Sequence, residues 1–582
     1  MGAMLPLSCL VCGAVYSVLC VSCVTCRDRH VDRETVYGKV RGLLVTAFDD
    51  HVVEKFLGIP YAKPPLGRLR FEYPEEPTPW EEVLNVTVVP PACTQRGTLK
   101  RYIYEHVPNF NRSSEDCLFL NIHVPQTTKQ KLPVFVYVHG GSNEVGMGAM
   151  FDGTVLAAYG EVVVLTFNYR LGALGFLSTG SSHLPGNYGL LDQLLLLKWV
   201  QRNIHFFNGD PTKVTIDGHS AGAADVGFHV SSAMLSYRAA RPWLTGRLWT
   251  LTRAPGYDLP YFSSVLGCQH REGNRALKEC LQTVSEKELQ NGRIHRKRGQ
   301  ELYFPPNVDS YFIPDHPFQL LNNADMNGER FMLGFTRDEG ARHAQVAAHR
   351  LHQRFTRESL KDRILNFSVA FPRVPGIDKL ILHEYTSWED PENTTGALLS
   401  YSEMEGDFSI VAPVMHMAAK LTRKRKPVYM YSFEYLSPNS PTLPRLGRYE
   451  SGMSLGVPHG RDLFYLFGYP LVGHPFYLYT EKDIRMSELV MDTWINFIKT
   501  GEPSNDVAAM HQYDDEEGPY LKFYENGDEV TSKTFYKYKP RKMHFWNELL
   551  PSLNDLHCAG SVTARRSLLA VVLSSVFLLL LL

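Results

Sequence analysis

The chain lacks most features of a modular or nucleic-acid-binding protein. Its 582 residues contain no Gly/Ser-rich or Pro-rich linker and no internal repeat, and composition does not shift between residues 36 and 546. One large domain is therefore the simplest organisation. The formal net charge of −1 gives no general attraction to a polyanion. Two basic runs, residues 293–298 and 423–426, come without a nucleic-acid-binding motif, so we interpret them as solvated loops and expect no nucleic-acid partner.

Cysteine is scarce outside the N-terminus. Of the 10 cysteines, only Cys93, Cys117, Cys268, Cys280 and Cys558 lie beyond residue 26. Residues 1–26 are apolar and contain no acidic residue, which predicts a secretory signal peptide, although the usual basic start is missing. The Cys-x-x-Cys spacings in that segment would be removed with it. We therefore predict neither a metal site nor a cofactor.

The C-terminal segment 558–582 predicts a membrane attachment signal. Residues 567–582 are almost wholly apolar, and about 15 such residues are too few to span a bilayer comfortably. Small residues at 558–561 and a short spacer precede this tail, as in a signal for a GPI anchor. A tail-anchored helix is the alternative. The expected layout is a signal peptide (1–26), one catalytic-type domain (27–557) and a GPI signal (558–582), at the cell surface or secreted.

Residues 218–222, Gly-His-Ser-Ala-Gly, carry the strongest chemical signal. They follow a short β-type run, residues 214–217, and precede a largely apolar run, residues 223–228. Strand, sharp turn and helix are the context in which G-x-S-x-G forms a nucleophile elbow, which exposes the serine hydroxyl above a sheet. The motif predicts that Ser220 is a nucleophile.

A nucleophilic serine needs a base, and the base needs a carboxylate to orient it. The apolar run 331–335 is predicted to be a buried strand, and the loop that follows it carries Asp338 and Glu339. Another predicted strand, residues 428–433, is followed by His459 in a loop rich in turn residues. Ser220, Glu339 and His459 thus occur in the chain order of an α/β-hydrolase triad.

Six further segments carry recognisable motifs: 56–62 (FLGIPYA), 64–71 (PPLGRLRF), 115–122 (EDCLFLNI), 168–172 (NYRLG), 185–193 (PGNYGLLDQ) and 494–503 (WINFIKTGEP). With these segments the chain resembles the type-B carboxylesterase and cholinesterase-like family. The resemblance covers about residues 36–546 and implies an α/β-hydrolase fold, a large, mostly parallel twisted sheet with helices on both faces. It also implies that Ser220 is the nucleophile, His459 the general base and acid, and Glu339 the residue that orients His459.

The oxyanion hole is where the chain departs from the family pattern. Residues 139–143 (HGGSN) follow a predicted strand, residues 134–138, and resemble the family's His-Gly-Gly-Gly-Phe loop. By analogy the donors are the N–H groups of Gly141, Ser142 and Ala221. A positive φ at Ser142 would cost a non-glycine residue about 1 kcal/mol or more. His219 also departs, because the family usually has Glu before the nucleophile.

In an oxidising compartment, the resemblance implies two disulfides, Cys93–Cys117 and Cys268–Cys280. Cys558 is a candidate for an intersubunit disulfide in a homodimer. Sequons for N-glycosylation occur at Asn85, Asn111, Asn366 and Asn393.

The expected function is hydrolysis of a small-molecule carboxylic ester through an acyl-enzyme. No Trp lies between Cys93 and Cys117, where cholinesterases carry one to hold a quaternary ammonium, so a broad carboxylesterase is favoured over a cholinesterase. Val107 stands ten residues before Cys117, and Tyr102, Tyr104 and Phe110 are the aromatic residues of that loop. Two alternatives remain: a neuroligin-like adhesion protein on the same fold, and a sink that binds esters or organophosphates with slow turnover.

Overall fold

A computed structural model describes most of residues 30–553. The gaps in the described range are residues 97–100, 109, 232–238, 242–258, 269–272, 293–302, 325, 351–354, 368–375, 440–454, 475–476 and 505–508. The expected signal peptide (1–26), Cys558 and the expected GPI signal (558–582) lie outside the described residues.

The described chain is organised around one sheet of thirteen strands, with a separate pair formed by β5 and β6. The sheet order is β1-β2-β3-β7-β9-β8-β10-β11-β12-β13-β14-β15, and β4 pairs with β2. The strands are β1 (His30–Arg33), β2 (Val40–Thr46), β3 (Val52–Pro60), β4 (Leu84–Asn85), β5 (Ala92–Cys93), β6 (Ser113–Ser114), β7 (Phe119–Pro125), β8 (Leu132–Val138), β9 (Val163–Phe167), β10 (Gly209–Gly218), β11 (Ala239–Arg241), β12 (Arg330–Thr336), β13 (Val428–Phe433), β14 (Pro519–Asn526) and β15 (Glu529–Tyr536).

The centre of the sheet is parallel and its edges are antiparallel. Every pairing from β9 through β8, β10, β11, β12 and β13 to β14 is parallel. The pairings β1–β2, β2–β3, β3–β7, β7–β9 and β14–β15 are antiparallel. Parallel strands need long crossovers, which explains why helices separate them along the chain. The predicted strands at 134–138, 214–217, 331–335 and 428–433 are all present.

Most of the α-helices in the described part of the chain lie between strands of the parallel block. The described α-helices are α1 (Arg101–His106), α2 (Thr154–Gly160), α3 (Gly172–Phe176), α4 (Tyr188–Asn203), α5 (Ala221–Ser231), α6 (Leu259–Val265), α7 (Asn274–Thr283), α8 (Glu286–Asn291), α9 (Pro317–Asn323), α10 (Ala341–Arg350), α11 (Arg357–Phe367), α12 (Ile377–Tyr385), α13 (Thr394–Gly406), α14 (Ala412–Arg423), α15 (Asp462–Leu466), α16 (Tyr469–Val472), α17 (Glu481–Thr500) and α18 (Pro540–His544). None of the described helices is long and apolar enough to cross a membrane.

Each face of the sheet has its own hydrophobic core. Along β8, Val134, Val136 and Val138 pack into one core with α4, whereas Phe135 and Tyr137 pack into a second core with α17. Side chains of a strand alternate between faces, so helices cover both sides of the sheet. This is the architecture expected from the sequence.

The segments that resemble the family contribute buried ion pairs, and both expected disulfides are present. Arg170 pairs with Asp192 at 2.7 Å, with side chains 4% and 0% exposed. Arg70 Nε donates to Glu115 Oε2 at 2.8 Å. Because both charges of such a pair are removed from water, losing one partner is strongly destabilising. The disulfides link Cys93 to Cys117 and Cys268 to Cys280.

The four sequons stay predictions of glycosylation. Asn85, Asn111 and Asn393 are exposed, and Asn393 also caps α13 by accepting a hydrogen bond from Gly396 N. Asn366 lies in α11.

Candidate active site

Ser220 stands in a strained turn between β10 and α5. Its φ is +58°, in the left-handed region that a non-glycine residue adopts only at a cost. A Cβ at Gly218 would lie 2.4 Å from Gly222 O, and a Cβ at Gly222 would lie 2.3 Å from Val138 O. Both glycines of the motif are therefore required by close backbone contacts, as in a nucleophile elbow.

Glu339 and His459 meet although they are 120 residues apart. His459 Nδ1 lies 2.5 Å from Glu339 Oε2, and the other carboxylate oxygen, Oε1, accepts a hydrogen bond from Thr336 N at 2.6 Å. The side chain of Glu339 is fully buried and that of His459 is 22% exposed. A buried carboxylate on Nδ1 fixes the ring orientation and leaves Nε2 for proton transfer.

Asp338 joins the two loops that carry Glu339 and His459. Its Oδ2 accepts a hydrogen bond from Val457 N at 2.7 Å, and its own N–H donates to Val457 O at 3.0 Å. Gly456 has φ +89°, and a Cβ there would lie 1.9 Å from Asp338 Oδ2. The two neighbouring carboxylates therefore have different roles. Asp338 fixes the loop that carries His459, and Glu339 fixes the imidazole ring of His459.

Ser220 and His459 are not directly hydrogen-bonded to each other. No hydrogen bond joins Ser220 Oγ to His459 among the contacts of the described residues. Catalytic hydrogen bonds of this kind are often long in a site without substrate. The ring of His219, next to the serine, lies against that of His459 with centroids 4.4 Å apart.

The loop after β8 packs directly on the nucleophile. A Cβ at Gly140 would lie 2.9 Å from Ser220 Cβ and 2.5 Å from His219 O. Within the described part of the chain, the N–H groups of Gly140, Gly141 and Ala221 donate to no protein acceptor. Ser142 does adopt a positive φ, +61°, and Asn143 follows at +56°. Ser142 and Asn143 therefore adopt left-handed backbone conformations that favour glycine.

A buried polar network supports this loop, and the sequence analysis missed it. Asn143 Nδ2 donates to Asp225 Oδ1 on α5 at 3.0 Å, and Gln193 Nε2 donates to Asp225 Oδ2 at 2.7 Å. Tyr169 OH lies 3.0 Å from Asn143 Oδ1, and His229 Nε2 lies 2.9 Å from Gln193 Oε1. The available signal was Asp225 itself, a lone acidic residue within the apolar run that follows the serine.

Burial controls the charge of several groups around the site. It raises the pKa of Asp225 to about 7, against the opposing effect of its two amide donors. It lowers the pKa of His139 to about 4, and that of His229 to about 3. Burial, reinforced by the positive charge of His459 and His106, lowers the pKa of His219 well below its usual range. A neutral imidazole thus occupies the place where the resemblance implies a carboxylate.

The loop that lacks Trp supplies little aromatic surface. Val107 and Phe110 pack against the second core, and Tyr104 is 39% exposed. The side chain of Tyr102 lies outside the described residues. Among the described residues, no group of three or more His, Cys, Asp or Glu is arranged to hold a metal ion.

Comparison with known proteins assigns the family. A profile described as the Carboxylesterase family matches residues 29–546. The chain belongs to this family. Family membership covers the sheet, the elbow and both loops that carry Glu339 and His459.

Relatives of two different kinds are about equally similar to this carboxylesterase-family chain. Neuroligin-2 of Mus musculus is 33% identical, over 91% of this chain and 69% of its own length. Acetylcholinesterase of Bungarus fasciatus is 32% identical, over 92% and 89%. The cocaine esterase of Oryctolagus cuniculus is 33% identical, over 89% and 96%. Because these identities are alike, the choice between enzyme and adhesion protein rests on the residues of the site.

Proposed function

We propose that this protein is a serine carboxylic-ester hydrolase that acts through an acyl-enzyme on Ser220. The observation that carries the proposal is the 2.5 Å hydrogen bond between His459 Nδ1 and buried Glu339, beside a strained serine elbow. Neuroligin-like adhesion proteins commonly lack one or more residues of the triad, whereas this chain retains Ser220, Glu339 and His459. A broad ester substrate is favoured over choline esters, because Val107 replaces the expected Trp.

The mechanism follows from the geometry. His459 Nε2 takes the Ser220 proton as Oγ attacks the ester carbonyl, and Glu339 stabilises the imidazolium that forms. The carbonyl oxygen becomes an oxyanion, and by analogy with the family's loop its donors are the N–H groups of Gly141, Ser142 and Ala221. His459 then protonates the leaving alcohol, and water hydrolyses the acyl-enzyme by the same route. Losing one oxyanion donor would raise the barrier by about 3 kcal/mol.

The cellular setting belongs to the same proposal. Two disulfides, exposed sequons and the N-terminal apolar leader favour the secretory pathway. GPI attachment within residues 558–582 and dimerisation through Cys558 remain predictions.

One experiment separates the enzyme from its two alternatives. The full chain would be expressed in secretory cells and incubated with a fluorophosphonate probe and with 4-nitrophenyl butyrate, beside Ser220→Ala. Labelling and turnover that disappear in Ser220→Ala are the expected result. Labelling without turnover would indicate the ester or organophosphate sink, for which the non-glycine residues Ser142 and Asn143 supply the reason. If a folded sample gives neither labelling nor turnover, that result contradicts the proposal and favours a neuroligin-like adhesion protein.

A further inference from the structure

The ring of His219 lies between the loop after β8 and the loop that carries His459. A Cβ at Gly140, in the first of these loops, would lie 3.0 Å from His219 Nδ1. The ring of His459 lies against the other side, with the two centroids 4.4 Å apart and the ring planes inclined by 33°. His219 is only 4% exposed. One imidazole thus fills the space between the loop beside the nucleophile and the general base.

Gly460, the residue after His459, is shaped by the same ring. The three atoms that a Cβ at Gly460 would meet first all belong to His219, with Nε2 at 2.8 Å, Cε1 at 3.0 Å and Cδ2 at 3.8 Å. Gly460 also has a φ of +78°. The loop of His459 therefore closes onto the ring of His219 at a position where a side chain would not fit.

The backbone of His219 is held by a strand and a helix. Its N–H donates to Val138 O, at the end of β8, over 3.3 Å, and its carbonyl oxygen accepts from Gly222 N, in the first turn of α5, over 2.9 Å. These bonds fix the point from which the side chain starts. Because Gly140 and Gly460 approach the ring from two directions, its rotation is restricted as well.

The ring of His219 is neutral in this position. Two imidazoles in contact disfavour a positive charge on both, since like charges at this separation repel each other. Burial, reinforced by the positive charges of His459 and His106, lowers the pKa of His219 well below its usual range. When His459 takes up a proton during catalysis, it therefore faces an uncharged neighbour.

The other titratable and charged groups near the two rings come from several elements. The basic ones are His139 after β8, His106 at the end of α1, and Arg461 in the turn of His459, whose guanidinium lies over the rings of Phe464 and Tyr477. The acidic ones are Asp338, which bonds the backbone of Val457, and Glu339, which bonds the ring of His459. The imidazolium of His459 is thus stabilised by Glu339, without a charge from residue 219.

We infer that His219 is a positioning residue for His459: its ring holds the catalytic imidazole in place, and its neutrality leaves Glu339 to stabilise the imidazolium. The role rests on the proposed esterase function and deepens it, because the resemblance implies Glu at this position. A carboxylate at 219 would favour protonated His459, which cannot accept the proton of Ser220. Residue 219 therefore sets how far into the acid range the esterase stays active.

Substitutions at residue 219 separate the contribution of the ring from that of its charge. His219→Ala removes the ring, His219→Gln places a neutral amide near Nε2, and His219→Glu introduces a carboxylate. His205→Glu is the matched control, because His205 is an exposed histidine in the turn before β10 and gains the same charge. In each full-length variant, kcat and KM for 4-nitrophenyl butyrate are measured from pH 5 to 8, with kcat expressed per site titrated by the fluorophosphonate probe.

Removal of the ring should affect kcat more than KM. We expect His219→Ala to lower kcat by at least about tenfold with KM within about threefold of the wild type, because a misplaced base disturbs the reacting geometry. His219→Gln should fall between His219→Ala and the wild type. A wild-type kcat in His219→Ala overturns the inference. If the wild type shows neither turnover nor labelling, the proposed function is contradicted instead.

The introduced carboxylate should change the pH profile. In His219→Glu, the midpoint of the acid limb of kcat/KM should rise by at least about one pH unit, because a negative charge beside an imidazole favours its protonated form. His205→Glu should keep the wild-type midpoint. An unchanged midpoint in a folded and active His219→Glu overturns the inference.

A second measurement needs no variant of residue 219. If His219 stays neutral, one imidazole titrates on the acid limb, so log kcat/KM should fall with a limiting slope of about one per pH unit. The slope is measured in the wild type and in Asp225→Asn, which removes the buried carboxyl of the neighbouring network. A limiting slope of about two in Asp225→Asn would mean that His219 gains a proton together with His459, and it overturns the inference.

Discussion

Asn143 Nδ2 donates a hydrogen bond to Asp225 Oδ1 over 3.0 Å and thereby connects the loop beside the nucleophile to the helix that follows it. Both side chains are buried, at 2% and 0% exposure. Asn143 stands where the resemblance implies an aromatic residue, and its amide pairs with a buried carboxylate. The departure that the sequence shows at Asn143 is thus compensated by a residue 82 positions away.

Replacing Asp225 by Ala should destabilise the fold and slow ester turnover. The change leaves Asn143 Nδ2 and Gln193 Nε2 without their acceptor, which costs about 2–4 kcal/mol in the free energy of unfolding. Urea unfolding measures this cost, and kcat for 4-nitrophenyl butyrate reports on the loop. Asp210→Ala is the control, because Asp210 accepts its hydrogen bonds from nearby Thr212 at the solvent-accessible start of β10. If the losses in free energy of unfolding caused by Asp225→Ala and Asn143→Ala simply add in the double variant, a direct interaction between the two side chains is contradicted.

Asp225 should also make stability depend on pH. Its pKa rises from 3.8 in the unfolded chain to about 7 in the fold, so the folded state binds the extra proton. The stabilisation is complete below about pH 4 and is lost as the pH rises to about 7, at up to about 1.4 kcal/mol per pH unit. Melting temperatures of wild type and Asp225→Asn, measured from pH 4 to 8, check this. The melting temperature of the wild type should fall more over that range than that of Asp225→Asn. Parallel curves would contradict a raised pKa of Asp225 in the folded state.

Glu339→Gln should reduce kcat by about 10³–10⁴-fold with little loss of stability, because the amide no longer stabilises the imidazolium of His459. Asp338→Asn keeps an acceptor for Val457 N and should cost at most about tenfold. Steady-state kinetics on 4-nitrophenyl butyrate compare the two variants. A larger effect at Asp338 than at Glu339 would reverse the roles that the geometry assigns.

Gly140→Ala should inactivate the site, because the new methyl group would lie 2.5 Å from His219 O and 2.9 Å from Ser220 Cβ. The loop or the serine must shift, and displacement of an oxyanion donor costs about 10²–10³-fold in kcat. Gly396→Ala in the first turn of α13 is the matched control, since its Cβ meets only ordinary contacts of 3.4 Å or more. Wild-type kinetics in Gly140→Ala would mean that this loop does not border the reacting atoms.

Local sequence was sufficient for the elements that depend on nearest neighbours. Runs of apolar residues predicted the central strands, and the Gly-x-Ser-x-Gly spacing predicted the turn at Ser220. Gly218 is needed by the backbone of Gly222 in the same turn, whereas Gly222 is needed by Val138 O of β8. Resemblance to the family added the pairing of the cysteines and the choice of Glu339 over Asp338, which composition and spacing alone do not make.

Tertiary structure alone decided which distant residues contact each other around the site. Residue 143 could be recognised as unusual, but its partner Asp225 became visible only when β8 and β10 paired side by side and brought their carboxyl ends together. The sequence determined which groups are present and which strands carry them. Burial and the order of strands in the sheet determined which groups meet.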